Sequence, residues 1–319
     1  MLSKLPLSFG SEWDYLAPPN PIRSSAGDEF NTLELTVVNM SLAARFIAHP
    51  SACDFKNSKK NRYPDVLALE STLVKLSNGD YINANHVLDH IATQGPLPHT
   101  MIDFWQMTHE QNSNVIVALA KVGQGAGTID CYWPTDPTAP RAFSDITVSF
   151  LRTMSFAEYT VNILQLTKNN IDRKIYHLHY HTWPDQGVPS STKNMVLFVQ
   201  LAAHLASRPS NPGPMIVHCS AGIGRTGVFL AIDHLLKHPT DRVIDTVKKM
   251  RDCRDGMVQK AVQYQFIHDC IANKPASPKP HKLANSVESV PILPPRSPLS
   301  CSIGSIIDFK KLTIAQHTH

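Results

Sequence analysis

At 319 residues with 42% apolar content, the chain is long enough to bury one substantial core, and one domain with tails is the simplest division. Lysine and arginine number 30 against 26 aspartates and glutamates, and an excess of four is too small to indicate nucleic-acid binding; no basic helix or aromatic RNA-binding motif appears. Cys53, Cys131, Cys219, Cys253, Cys270 and Cys301 are scattered without a Cys-x-x-Cys pair, which argues against a zinc site and against a disulfide framework.

In chain order, residues 1–27 are rich in proline and serine and read as a flexible N-terminal extension to a single domain over 28–275. Lys60-Asn61-Arg62-Tyr63-Pro64-Asp65-Val66 is, in isolation, a polar turn with proline at a favoured place. Strands are expected at Val115–Leu119, Ile146–Phe150, Tyr159–Leu164, Ile175–Tyr180 and Met215–His218. Between the first two lies Lys121–Pro134, whose Gly123, Gly125 and Gly127 suggest a mobile segment. His177, His179 and His181 alternate along a strand and read as core or surface residues, not metal ligands. Thr182-Trp183-Pro184-Asp185-Gln186-Gly187-Val188-Pro189 is either an ordinary turn with a packed indole or a loop that closes over a ligand. Helices are expected at 193–206, 224–237, 241–251 and 260–273, the third with Val243, Ile244, Val247 and Met250 at helical spacing.

The most informative stretch is His218-Cys219-Ser220-Ala221-Gly222-Ile223-Gly224-Arg225-Thr226-Gly227. It sits on a strand-to-helix turn, where unpaired amides and the positive end of the helix dipole collect, and its glycines let the backbone wrap around an anion. Such a loop suits a dianionic phosphate, held by the backbone of Ser220, Ala221, Gly222, Ile223 and Gly224. The same field acts on Cys219: a free thiol with a pKa of about 8.5 is only ~3% ionised at pH 7, and a thiol at a helix N-terminus beside a cation drops by several units. Arg225 offers a planar fork that grips two phosphoryl oxygens. His218 is expected to orient the loop and help set the thiol's acidity, and Thr226 to hydrogen-bond the sulfur.

Residues 217–227, Val-His-Cys-Ser-Ala-Gly-Ile-Gly-Arg-Thr-Gly, resemble the signature loop of the classical protein tyrosine phosphatases. In the expected order, Thr182–Pro189 is similar to that family's mobile acid loop, Lys60–Val66 to its phosphotyrosine-recognition loop and Met257–Tyr264 to its glutamine loop. Asp80–Asn85, Ala92–Pro96 and Asp103–Trp105 also look like family core segments, and the likeness covers about residues 28–275. The resemblance implies an α/β fold with a highly twisted mixed sheet flanked by helices, and hydrolysis of phosphotyrosine in proteins through a phosphocysteine, without metal or cofactor. Cys219 would be the nucleophile, Arg225 the phosphate clamp and Asp185 the acid and then the base. Gln263, with Gln259, would aim the attacking water; Tyr63 would wall a deep slot and Asp65 would hold the substrate backbone. Lys59, Lys60 and Arg62 would attract acidic residues flanking the phosphotyrosine, unless they are simply a solvated face.

This chain departs from the pattern in two places. The loop before Tyr132-Trp133-Pro134 lacks the glutamate that often buttresses the signature arginine, leaving Asp130 or other groups to hold Arg225, and Gln186 follows the acid where the family commonly has His or Phe. Neither change removes a catalytic atom. Rival readings are a dual-specificity or lipid phosphatase with the same loop, and a catalytically idle phosphotyrosine-binding module. No apolar run of about 18 residues occurs and the first segment lacks a signal peptide's apolar centre, so no membrane span and a cytoplasmic location are expected; an effector secreted to act in a host cytoplasm would read the same way. Residues 276–319 form a Pro/Ser-rich tail, in which Pro291–Pro298 offers an extended helix to a proline-recognition partner or is a plain spacer.

Overall fold

The computed structural model describes residues 24–35, 42–184, 187–209 and 212–274. In chain order its elements are α1 (Ser24–Leu35), α2 (Leu42–Ala48), α3 (Pro50–Cys53), β1 (Ala84–Val87), β2 (His90–Thr93), α4 (Met101–Glu110), β3 (Val115–Ala118), β4 (Arg141–Phe143), β5 (Ile146–Ser155), β6 (Tyr159–Lys168), β7 (Ile171–Tyr180), α5 (Thr192–Ala206), β8 (Ile216–His218), α6 (Gly224–Lys237), α7 (Val243–Cys253) and α8 (Ala261–Ala272). The strands form one eight-stranded sheet in the order β1-β2-β8-β3-β7-β6-β5-β4. This is the twisted mixed sheet flanked by helices that the resemblance implies.

The sheet has two characters. β2, β8, β3 and β7 run parallel to their neighbours, while β1 pairs antiparallel with β2 and the β7-β6-β5-β4 half is an antiparallel meander. Parallel strands need cover on both faces, and β3 and β8 are accordingly buried along their whole length, which is why Val-Ile-Val-Ala and Ile-Val-His read as continuous runs without alternation. Helices α5, α6, α7, α8 and α1 pack on one another, with α5 against β3 and α6 against β8 and β2. Phe104 and Trp105 of α4 form an aromatic group within the core with Tyr132, Phe143 and the His218 ring.

Every predicted strand and helix is present. β5, β6 and β7 run further than their apolar cores suggested, because cross-strand pairing carries the meander's outer ends beyond the mostly buried stretch. Ahead of these, α1 begins at Ser24 and spans residue 28, with Ala26, Phe30 and Leu33 buried. Among the described residues no helix is long and apolar enough to cross a membrane. The proline run Pro291–Pro298 and the rest of 276–319 lie outside the described residues.

The topology has a direct consequence for the site. The carboxyl ends of the four parallel strands β2, β8, β3 and β7 lie along one edge, and the segments that follow them are Gln94–Pro96, Cys219–Ile223, Lys121–Asp130 and Thr182–Pro189. Ligands of open α/β sheets bind in the crevice outside these strand ends.

Candidate active site

β8 delivers Cys219 from the centre of the sheet, and α6 begins five residues later at Gly224. Between them the chain makes a tight cup. Gly222 has φ +77°, and a Cβ on it would stand 2.1 Å from the Thr93 carbonyl oxygen, so no other residue fits there. The Gly222 amide points to the Cys219 sulfur at 3.3 Å. Burial of Cys219 raises its thiol pKa, but the Arg225 charge, the Thr226 hydroxyl and amide and the Gly222 amide together outweigh burial and hold it below the ordinary thiol range. The thiolate therefore has its stabilisers within the cup.

Arg225 is buried and donates from Nη2 to the Gly127 carbonyl at 2.8 Å. Asp130 does not stand in for the missing glutamate: its Oδ2 accepts from Arg62 Nη2 at 2.7 Å. The glycine-containing loop thus serves the signature arginine through a backbone carbonyl. Ser220 fixes the same loop, donating from Oγ to the Thr128 carbonyl at 3.0 Å and accepting from the Tyr63 hydroxyl at 2.9 Å. That last bond seats the half-buried Tyr63 beside the cup, where it can wall a slot, while Asp65, two residues on, is exposed.

The two glutamines also converge. A Cβ on Gly224 would lie 3.1 Å from the Gln263 amide and 3.4 Å from Gln259 Oε1, placing both side chains over the first turn of α6. Gln263 is buried and its Oε1 accepts from the Gln259 amide at 3.1 Å. His218 is fully buried; its Nδ1 donates to the Cys219 carbonyl at 3.1 Å, and burial drives its pKa down to about 3, so the ring is neutral. Asp185 and Gln186 lie outside the described residues. The segment that carries them is pinned at its base, where the buried Trp183 indole donates to the Gly187 carbonyl at 3.0 Å.

The cations near Tyr63 have structural duties. Lys60 Nζ donates to Asp103 Oδ2 at 2.9 Å, and Arg62 bonds the Gly95 and Pro96 carbonyls as well as Asp130. Of the three basic residues read as a lure for acidic peptides, only Lys59 is exposed. Sequence reasoning also passed over Arg254. This fully buried guanidinium donates to Gly222 O at 2.9 Å, Ala221 O at 3.0 Å, Asn85 Oδ1 at 2.8 Å and Asn83 Oδ1 at 2.7 Å. Asn83 passes the connection to the recognition loop, donating to Asn61 Oδ1 and the Val66 carbonyl. The signal was the Asn83-Ala84-Asn85 pair, whose side chains had no assigned duty.

A thiol in an amide-lined cup, a buried arginine beside it and an aromatic wall at its mouth are the equipment for handling a phosphate ester. Comparison with known proteins agrees. A family model described as Protein-tyrosine phosphatase matches residues 57–273. The chain is 37% identical over 277 residues to tyrosine-protein phosphatase non-receptor type 20 of Mus musculus, covering 78% of this chain and 63% of that one. It is 41% identical over 234 residues to the tyrosine-protein phosphatase Lar-like of Caenorhabditis elegans and 37% identical over 233 residues to the phosphatidylinositol phosphatase PTPRQ of Homo sapiens; each match covers 67% of this chain and 10% of the relative. The chain thus spans less than two thirds of the length of these curated relatives. With a matched segment that takes in the cup, the recognition loop and both glutamines, the chain belongs to the protein-tyrosine phosphatase family.

Proposed function

We propose that this chain is a protein tyrosine phosphatase that works through a phosphocysteine intermediate. The observation that carries the reading is the Cys219 sulfur on the floor of the loop, with the Gly222 amide at 3.3 Å and its thiol pKa held below the ordinary range. The thiolate attacks phosphorus and the bond from phosphorus to the phenolic oxygen breaks, while Asp185 gives its proton to the leaving oxygen. Water then attacks the phosphocysteine, Asp185 takes a proton from it, and inorganic phosphate leaves with the thiolate restored. Arg225 and the loop amides hold the three equatorial oxygens in both steps, and Gln263 with Gln259 aims the water. The role of Asp185 rests on its place in the sequence and on the family resemblance, supported by the Trp183 anchor beside it.

Substrate depth follows from Tyr63. A phosphotyrosine carries its phosphorus several ångströms farther from the main chain than phosphoserine, so a slot walled by that ring excludes the shorter side chains, and Asp65, two residues on, accepts from the substrate's backbone amides. The substrates are then phosphotyrosine-containing proteins. A thiolate nucleophile works where thiols stay reduced, which fits a cytoplasmic setting.

One relative gives a second reading some standing, because its name assigns it phosphatidylinositol as substrate. One experiment separates the readings: turnover of a phosphotyrosine peptide, a phosphothreonine peptide and a phosphatidylinositol phosphate, with acid quenching to trap labelled phosphate on Cys219. The proposal expects the first substrate to dominate and the label to be recovered. Comparable rates on all three would defeat the deep-slot reading, and failure to recover label would defeat the covalent one. Asp185→Ala should slow turnover by about 10² to 10⁴ and retain bound substrate, as expected for the loss of a general acid.

A further inference from the structure

Behind the cup lies a run of buried polar side chains whose hydrogen bonds admit only one direction. Asn162 of β6 places Nδ2 3.2 Å from His177 Nδ1. His177 Nε2 lies 2.9 Å from the Tyr132 hydroxyl, and that hydroxyl lies 2.6 Å from His218 Nε2. His218 Nδ1 closes the run on the Cys219 carbonyl at 3.1 Å. All four side chains are buried.

The ends dictate the middle. A carbonyl oxygen can only accept, so His218 Nδ1 carries a proton; the ring is neutral, so its Nε2 accepts, and the Tyr132 O–H must donate to it. Tyr132 has a single proton, so its oxygen must accept from His177 Nε2–H. Burial, with His179 and His218 nearby, keeps His177 neutral as well, so its Nδ1 accepts and Asn162 donates. The amide nitrogen of Asn162 is a donor by nature, and the run is consistent from end to end. Turning any one member around would leave Tyr132 between two acceptors, or would strip the donor from the Cys219 carbonyl.

We propose that Asn162, acting through His177 and Tyr132, fixes the tautomer of His218 and thereby the orientation of the Cys219 peptide, so that Asn162 and His177 are positioning residues for the nucleophile. The inference rests on the phosphocysteine reading. Trp133 supports it by covering the His177 ring at 4.2 Å, which leaves the imidazole little freedom to turn. Among the described residues, the other charged or titratable groups facing the run are His179 toward His177, Cys131 toward Tyr132, His179, Arg62 and Arg225 toward His218, and Arg225 and Arg254 toward Cys219. None is altered in the test below.

Asn162→Asp is nearly isosteric and reverses the polarity at the start of the run, because a carboxylate accepts where the amide donated. The readout is the pH midpoint of iodoacetate alkylation at Cys219, which reports the thiol directly and needs no turnover. The expected result is a midpoint raised by at least ~0.5 pH unit. In a Tyr132→Phe background, where the link is already cut, the same substitution should add nothing. An equal shift in both backgrounds, as a through-space charge would give, overturns the proposal, and so does no shift in either.

Asn162→Leu, which removes the donor without adding charge, answers the same question if the aspartate variant does not fold. Imidazole nitrogen shifts give a reading that needs no Tyr132 variant. His218 should be Nδ1-protonated in the wild type and lose that preference in Asn162→Leu; an unchanged His218 tautomer overturns the proposal. A wild-type midpoint in the ordinary thiol range, about 8.5, would instead sink the phosphocysteine reading itself.

Discussion

Cysteine acidity in this chain is decided residue by residue. Cys270 is as buried as Cys219, but with no cation beside it burial and the nearby Asp269 push its thiol far above the ordinary range, and Cys131 and Cys253 are also raised by burial. At Cys219 the same penalty is outweighed by Arg225, Thr226 and Gly222. An unshifted thiol is about 1% ionised at pH 6.5. Brief iodoacetate treatment at that pH should therefore label Cys219 and leave Cys270 unmodified, as read by peptide mass spectrometry; labelling of both at similar rates would remove the depressed thiol from the mechanism. Cys219→Ser should abolish turnover and keep substrate binding, because a hydroxyl is far less ionised and the cup is otherwise intact. Arg254 makes a complementary case, since it touches no reacting atom yet holds two carbonyls of the cup and two asparagine side chains. Burial lowers its pKa to about 10, so it remains a cation at neutral pH. Arg254→Met leaves those four acceptors buried without a donor and should cost roughly 3–5 kcal/mol of stability, read by urea unfolding.

Among the elements, α6 carries the most, because its first turn forms the cup and its middle must not drift relative to β8. Asp233, the tenth residue of α6, is the tether. Its Oδ2 accepts from His90 Nε2 of β2 at 2.8 Å and from Lys237 at 2.6 Å, while His90 Nδ1 accepts from the Met215 amide just before β8. One carboxylate thereby ties α6 to two parallel strands. Burial opposes its ionisation, but His90 and Lys237 prevail and keep its pKa below the ordinary carboxylate value. A depressed folded pKa means that the stabilisation is fully present above the unfolded value, about 3.9, and is lost as pH falls through the folded value. Asp233→Asn should accordingly cost about 1.5–3 kcal/mol at pH 7, with the gap to wild type narrowing only in strongly acidic solution. Urea midpoints at neutral and acid pH check this, and a gap that stays constant with pH would show that the charge is not what matters.

At the scale of the molecule, the sequence made legible what has a local signature. The cup could be read because its chemistry lies in one unbroken stretch, and the long helices because their apolar spacing is set by a single buried face. The hairpin β1–β2 carries no alternation, since seven of its eight residues are buried, and so it gave no period to read. Arg254 and Asn162 were invisible for another reason: each acts on the cup from a distance in sequence, through partners that only the fold brings near. Helix α1 was hidden in the same way. Serine and alanine at its start look like linker, yet α1 buries Phe30 and Leu33 against α7 and α8, and Arg251 donates to the Leu33 carbonyl and to Glu34. Tyr264, beside Gln263, donates to Glu29 at 2.6 Å. Comparing a chain that starts at Arg23 with one that starts at Thr36 isolates this helix. Burial of Phe30 and Leu33 alone is worth roughly 3–6 kcal/mol as an upper bound, so the shorter chain should unfold at distinctly lower urea concentration. Because α1 braces the helix that bears Gln263, on the proposed phosphocysteine route its loss should also slow release of phosphate more than it slows formation of the intermediate, and a pre-steady-state burst of larger amplitude is the expected record.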